Sequence, residues 1–123
     1  MENLPFTTAA AQAFAHDWIS AWNDHDLERI LAQYDDEVQL TSPVAQRFGD
    51  GSGTIRGKVA LRDYFRQGLA AYPNLRFDFL EVLWGLETVV VRYSNNVRGG
   101  ASAEVMLFNR EGKVTRVWAN YDR

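Results

Sequence analysis

The sequence has 123 residues, 46% of them hydrophobic and 24% charged, which predicts a single globular domain over residues 1–123 with a core of ordinary size. Its net charge of −3 argues against a nucleic-acid-binding surface, and the absence of cysteine excludes disulfides, thiol nucleophiles and thiolate metal sites. No apolar run approaches the roughly 18 residues of a membrane span, and no basic region precedes the apolar part of the N-terminus. We therefore expect a cytoplasmic protein that binds neither nucleic acid nor membrane and uses no metal or cofactor.

The N-terminal quarter of the chain predicts two helices. Thr7 and Thr8 are suitable N-caps for the first helix, which the polar cluster of residues 23–26 ends. Its apolar positions recur at helical spacing: Ala11, Phe14, Ala15, Trp18, Ile19, Ala21 and Trp22. Asp26 then caps a second helix over residues 27–34, LERILAQY.

The middle of the chain predicts a short strand, a loop and a third helix. Asp35-Asp36 closes the second helix, and residues 38–42 alternate as a strand that Pro43 stops. Residues 44–57 contain four of the nine glycines and predict a loop. A helix follows over residues 58–72, with a buried stripe of Leu61, Tyr64, Phe65, Leu69 and Tyr72.

The C-terminal half predicts four strands joined by short turns: LRFDFLEVLWGL, ETVVVRYSNNV, SAEVMLFNR and GKVTRVWANYDR. In the first of them, Phe77 and Phe79 hold one phase of the alternation, whereas Leu80 and Val82 hold the other. Such a phase change is typical of a β-bulge, which lets a sheet curl. Helices followed by a meander of strands predict an α+β fold, a cone-shaped roll of about three helices on a strongly curved, mostly antiparallel sheet.

The order of these segments resembles the nuclear transport factor 2-like superfamily, and within it the SnoaL-like and ketosteroid-isomerase-like branch. Three segments carry the resemblance, which covers nearly the whole chain: FAHDWISAWNDHDLERILAQYDDEVQLTSPV, GTIRGKVALRDYF and LFNREGKVTRVWANYD. Their order and spacing point to the fold more strongly than to an activity, because one fold hosts many functions.

The resemblance implies three positions for isomerase-type chemistry. The base carboxylate would precede the strand-ending proline, where this chain has Ser42. The oxyanion-binding tyrosine would lie on the first helix, where it has Trp18. A carboxylic acid kept protonated by apolar surroundings would lie on the third strand of the meander, where Glu104 aligns. A hydroxyl is a very poor base, so the sequence argues against steroid-type isomerisation.

Glu104 is the leading candidate for chemistry. It lies in an otherwise apolar strand, on the face of Met106 and Phe108, where desolvation would raise its pKa and let it donate a hydrogen bond to a carbonyl. The alternative is an outward position paired with Arg92 or Arg116 on a neighbouring strand.

We expect a ligand pocket around Glu104, although core packing is the alternative interpretation of its apolar members. The expected lining is Trp18, Tyr34, Ser42, Phe65, Met106, Phe108, Val117, Ala119 and Tyr121. Alternation places Arg116, Trp118 and Asn120 on the opposite face, where an exposed tryptophan indicates a homodimer interface, as the resemblance also implies.

Four other polar features favour structural roles. His16 falls on a solvated helix face, His25 lies in a helix break whose aspartates act as caps, and residues 35–37 form an acidic helix end. Asp50 could reach over the pocket, although a turn role explains it better. The glycine-rich loop around it lacks the Lys-Ser/Thr of a phosphate loop.

Three functions are compatible with these observations. The first is an enzyme with acid–base isomerase, cyclase or hydrolase chemistry centred on Glu104, acting on a small, largely apolar, carbonyl-containing metabolite. The second is a binding domain with the same pocket and no chemistry, which the hydroxyl at Ser42 favours. The third is an interaction module that uses the outer sheet face around Trp118.

Overall fold

The computed structural model describes residues 6–47 and 50–123. Its helices are α1 (Thr8–Asn23), α2 (Leu27–Leu31) and α3 (Lys58–Ala71), with one turn of 3-10 helix at Ala45–Arg47. Its strands are β1 (Tyr34–Thr41), β2 (Thr54–Arg56), β3 (Phe77–Trp84), β4 (Thr88–Asn95), β5 (Ala101–Phe108) and β6 (Val114–Tyr121).

The strands form one sheet in the order β2-β1-β6-β5-β4-β3. The pairing of β1 with β6 is parallel, and the other strand pairings are antiparallel. The three helices pack on the concave side of this curved sheet, so the expected α+β roll is confirmed.

The predicted bulge lies in β3. The pairing of β3 with β4 shifts register between Phe79 and Glu81, which leaves Leu80 as the extra residue. Because a bulge adds local twist, it lets the edge strand curl toward α1. Leu80 is thereby turned to solvent and is 47% exposed.

The first helix follows its sequence signals. Thr7 is the N-cap and accepts a hydrogen bond from the main-chain N–H of Ala10. The residues at helical spacing face the sheet, with Trp18 2% exposed and Trp22 8% exposed. Pro5, which precedes the N-cap residues in the sequence, lies outside the described residues.

The second helix is shorter than predicted. It ends at Leu31, and Tyr34, Asp35 and Asp36 belong to strand β1 rather than to a helix and its end. Tyr34 pairs with Val114 of β6, so a strand partner distant in sequence overrides the local helical pattern. In α3, Leu61 and Phe65 are buried as predicted.

The predicted loop of residues 44–57 contains regular structure. Beside the 3-10 turn, β2 pairs with β1, with Thr41 opposite Thr54 and their hydroxyls hydrogen-bonded at 2.9 Å. A strand of three residues is too short to show an alternation, so the sequence pattern missed it. Tyr72 follows α3 and is 49% exposed, in contrast to the buried position predicted for it.

Candidate functional site

An open cavity of about 390 Å³ lies between α3 and the concave face of the sheet. Aromatic and aliphatic side chains form most of its wall, including Trp18, Trp22, Phe65, Phe77 and Ala119. The polar groups of the wall come mainly from β4, β5, β6 and the segment after β1. A largely apolar cavity with a few converging polar groups is the usual form of a small-molecule site.

Glu104 is the carboxylate among the described residues of this wall. It lies in the middle of β5, opposite Val91 of β4 and Ala119 of β6, and is 7% exposed. Burial raises the pKa of Glu104 to about 7, and the hydrogen bond from Tyr93 acts in the opposite direction. At neutral pH this carboxyl is therefore present in both protonation states.

The alternative outward position of Glu104 does not occur. Arg92 forms its ion pair with Glu81 at 2.8 Å, and Arg116 stacks over Trp118 at 4.9 Å. Since neighbouring residues of a strand face opposite sides of the sheet, Arg92 lies on the outer face, whereas Glu104 faces inward.

Tyr93 is a polar member of the site that sequence reasoning missed. Its hydroxyl donates to Glu104 Oε2 at 2.9 Å, and it is 4% exposed. Burial raises the pKa of Tyr93 well above its ordinary value, and the nearby Glu104 adds to the effect. Along β4, Tyr93 shares a face with Val89 and Val91, but the pairing of Tyr93 with Ser102 that brings it beside Glu104 could not be deduced from the sequence.

A second group of hydroxyls lies beside Glu104 on the cavity wall. Ser42 Oγ lies 3.5 Å from the Tyr121 hydroxyl and accepts the main-chain N–H of Val44. Tyr64, from α3, lines the same part of the wall and interacts with Ser42. Burial raises the pKa of Tyr121, and the neighbouring Glu104 raises it further. These groups can donate and accept hydrogen bonds, but none is a base at neutral pH.

Trp18 lines the cavity with its ring, yet its N–H points elsewhere. The indole Nε1 donates to the Tyr34 hydroxyl at 3.0 Å, in the buried layer between α1 and β1. The pKa of Tyr34 is raised by burial, so this hydroxyl remains a neutral acceptor. Trp18 therefore does not take the oxyanion-binding role that the resemblance assigns to its position.

The structure separates the expected pocket residues into two groups. Trp18, Ser42, Phe65, Glu104, Ala119 and Tyr121 line the cavity. Tyr34, Met106, Phe108 and Val117 do not line it and lie in the packed core. The reason is that α1 covers this part of the inner face: Phe108 packs edge-on against Phe14 at 4.9 Å. An inward side chain is thus not necessarily a cavity side chain.

Two arginines that the sequence analysis did not single out line the cavity. Arg47 ends the 3-10 turn after β1, and Arg98 lies in the turn between β4 and β5. The Arg98 guanidinium lies 4.3 Å from the centre of the Tyr121 ring and donates to the main-chain oxygen of Arg123. In the sequence, Arg98 is followed by two glycines, a pattern that predicts a turn. Arginines in turns usually face solvent, so the sequence did not indicate that Arg98 lines a cavity.

The polar clusters outside the cavity have structural partners. His25 adopts a φ of 53° and donates from Nε2 to the Leu75 carbonyl at 2.8 Å. Asp26 caps α2, and Asp24 pairs with Arg29. Asp50 accepts the main-chain N–H of Ser52 in a turn.

Among the described residues, none of the helices is long and apolar enough to cross a membrane.

Comparison with known proteins gives one family and many related structures. A family model described as a SnoaL-like domain matches residues 15–119. A SnoaL-like protein of unknown function from Burkholderia thailandensis E264 is 35% identical, with a TM-score of 0.91 over 97% of this chain and 100% of its own. Comparison with curated proteins gave no significant match.

More distant structures share the fold. A protein from Agrobacterium tumefaciens C58, proposed as an isomerase of the SnoaL-like family, is 16% identical with a TM-score of 0.73 over 92% of this chain and 97% of its own. A protein from Kribbella flavida, proposed as a ketosteroid isomerase, is 16% identical with a TM-score of 0.74 over 94% of this chain and 80% of its own. The family match and the 35% identical relative together show that this chain belongs to the SnoaL-like family.

Proposed function

We propose that the protein binds a small, largely apolar ketone or related carbonyl compound in the cavity and moves a proton on it through Glu104. The observation that carries the proposal is the buried Glu104, whose pKa of about 7 lets one carboxyl both donate and accept a proton near neutral pH. Its position on the cavity wall, in hydrogen-bond contact with Tyr93, supports transfer of that proton to or from a ligand in the cavity.

The arrangement suits a reaction at the carbon next to a carbonyl. In its protonated form Glu104 donates a hydrogen bond to the carbonyl oxygen, as a carboxylic acid in an apolar site can. In its ionised form, which the hydrogen bond from Tyr93 stabilises, Glu104 removes a proton from the adjacent carbon and becomes the neutral acid, while the negative charge moves to the enolate oxygen. The same carboxyl then returns the proton to another carbon of the ligand. Isomerisation and ring closure both begin with such a proton transfer, which supports these two reaction classes over hydrolysis.

A second candidate is a binding domain without chemistry. The observation that favours it is Ser42, since a hydroxyl stands where the isomerases of this branch carry a base. Among the described wall residues, no second carboxylate and no histidine faces Glu104 to share the proton. The cytoplasmic location expected from the sequence is part of both proposals.

The two candidates are separated by proton exchange on 2-tetralone, a neutral bicyclic ketone with acidic protons beside its carbonyl. In D₂O near pH 7, we expect the protein to accelerate exchange of these protons, followed by NMR. Glu104→Gln should retain ketone binding, because the amide can still donate a hydrogen bond, while protein-catalysed exchange falls by about 100-fold or more. Glu111→Gln, an exposed turn residue, is the matched control and should exchange like the unmodified protein.

Each result has one interpretation. Binding of 2-tetralone with no acceleration of exchange would support the binding domain and contradict the enzyme. Exchange that survives Glu104→Gln would contradict the role of Glu104.

A further inference from the structure

The cavity wall carries more positive than negative groups. Arg47 and Arg98 both line it, and Glu104 is the carboxylate among its described residues. At pH values below the pKa of Glu104, the two arginines have no opposing charge on the wall.

Contacts along the cavity wall connect Arg98 with the segment that carries Arg47. Arg98 stacks on the ring of Tyr121, whose hydroxyl lies 3.5 Å from Ser42 Oγ. Ser42 is also the main-chain acceptor for Gln46 in the 3-10 turn that ends at Arg47. A continuous set of contacts therefore joins Arg98 to the segment that carries Arg47.

Neither arginine is neutralised by a side chain. Several other arginines form ion pairs, for example Arg29 with Asp17 and Arg92 with Glu81. In the described part of the chain, no side-chain carboxylate pairs with Arg47 or Arg98, and the buried Nε of Arg98 has no hydrogen-bond partner. Arg98 is half-buried and donates one hydrogen bond to the main-chain oxygen of Arg123, and Arg47 is exposed. The remaining guanidinium donors are suited to a carboxylate, which an arginine can bind through two parallel hydrogen bonds.

The separation of the two polar ends sets the length of a ligand. Glu104 pairs with Ala119 across β5 and β6, and Tyr121 lies two residues further along β6. Two residues of a strand span roughly 7 Å, which is the main-chain offset along β6 between the level of Glu104 and the level of Tyr121, the residue on which Arg98 stacks. Aromatic side chains also line the cavity wall.

We infer that the ligand is a carbonyl acid: a flat apolar body with its carbonyl at Glu104 and a carboxylate at Arg47 and Arg98. This inference rests on the proposed function, because it places the second polar group relative to the carbonyl bound there. The carboxylate supplies the negative partner that no described side chain gives these two arginines, and the body lies against the aromatic side chains of the cavity wall.

The test compares two probes that differ in one group, 2-tetralone and its 6-carboxylate. Calorimetric titrations at about one pH unit below the pKa of Glu104 should show the carboxylate binding about tenfold more tightly, the strength of a charge-assisted hydrogen bond. Arg98→Gln and Arg47→Gln should each reduce this preference, and Arg98→Lys, which keeps the charge, should retain part of it. Arg110→Gln, in the exposed turn between β5 and β6, is the matched control and should keep the full preference.

The outcomes separate this inference from the proposed function. Equal binding of both probes would overturn the carbonyl acid and leave the carbonyl site in place. A preference that both glutamine variants retain would also overturn it, since the carboxylate would then bind elsewhere. If neither probe binds, both the inference and the proposed function fail.

Discussion

At the scale of single residues, Glu104 gives the protein a pH-dependent stability. Its pKa rises from 4.5 to about 7 on folding, because burial penalises the charged form. A raised carboxyl pKa means that the folded state binds the proton more tightly than the unfolded state. The stabilisation by this proton is therefore complete below pH 4.5 and is lost as the pH rises toward 7.

We predict that Glu104→Gln removes this pH dependence. The shift corresponds to about 3 kcal/mol of unfolding free energy, lost between the two pKa values in the unmodified protein. Urea unfolding of both proteins between these two pH values gives the difference between their unfolding free energies. The contributions of the other titrating groups are the same in both proteins and cancel in this difference. As the pH rises, the free energy of unfolding of the Glu104→Gln variant should increase relative to that of the unmodified protein. A constant difference would show that folding leaves the pKa of Glu104 unchanged.

The sequence identified Glu104 but not its hydrogen-bond partner. Alternation is a local property, so it correctly placed Glu104 and Ala119 on the inner face. Which inward residues meet depends on strand register, and that is fixed by turns and by packing across the sheet. For this reason the sequence did not predict that Tyr93 and Arg98 line the cavity. It also placed Met106 in the cavity wall, whereas Met106 lies in the core.

At the scale of elements, the break after α1 fastens this helix to the sheet. The Asn23 side chain donates to the Phe77 carbonyl at 2.9 Å and accepts the Phe77 N–H at 2.7 Å. His25 binds the carbonyl of Leu75, just before β3. The polar cluster in the sequence is thus a connection to the edge strand, and Phe77 in turn lines the cavity.

We predict that Asn23→Ala destabilises the fold by about 2–4 kcal/mol, because it leaves two partly buried main-chain groups of Phe77 without partners. Asp24→Ala, one residue later, is the matched control: it removes an exposed ion pair with Arg29 and should cost less than about 1 kcal/mol. Urea unfolding measures both. Equal losses would show that Asn23 contributes no more than a surface residue.

The sequence predicted helices and strands correctly where the hydrophobic pattern was long. It failed where the structure of a segment depends on pairing with a distant strand. The four C-terminal strands have eight residues each, enough for clear alternation and for the phase change at the bulge. In contrast, β1 begins at Tyr34 and β2 spans three residues, and both depend on partners far along the chain. Local propensity is a weak guide in such segments.

At the scale of the whole molecule, the outer face of the sheet carries an apolar row that the described helices do not cover. The strand register aligns four side chains across β3, β4, β5 and β6: Leu83, Val90, Val105 and Trp118. Leu83 is 49% exposed, and the other three are partly exposed. Beside the row, Arg92 and Glu81 neutralise each other within the chain.

We propose that this row is the interface of a homodimer. Two copies related by a two-fold axis would bury the row against itself, and the internal Arg92–Glu81 pair would avoid repulsion between like charges. The partner on this face is then a second copy of the same chain, and binding of a different protein there is the competing outcome. The cavity opens on the opposite side of the sheet, so both chains would keep an accessible site.

The dimer is tested by Val105→Lys, which places a charge at the centre of the row. Analytical ultracentrifugation should show a dimer for the unmodified protein and a monomer for this variant, while 2-tetralone binding remains, since Val105 faces away from Glu104. Val59→Lys is the matched control: Val59 is 86% exposed on α3, and this variant should stay dimeric. A monomeric unmodified protein would contradict the homodimer and leave the apolar row available to a different partner.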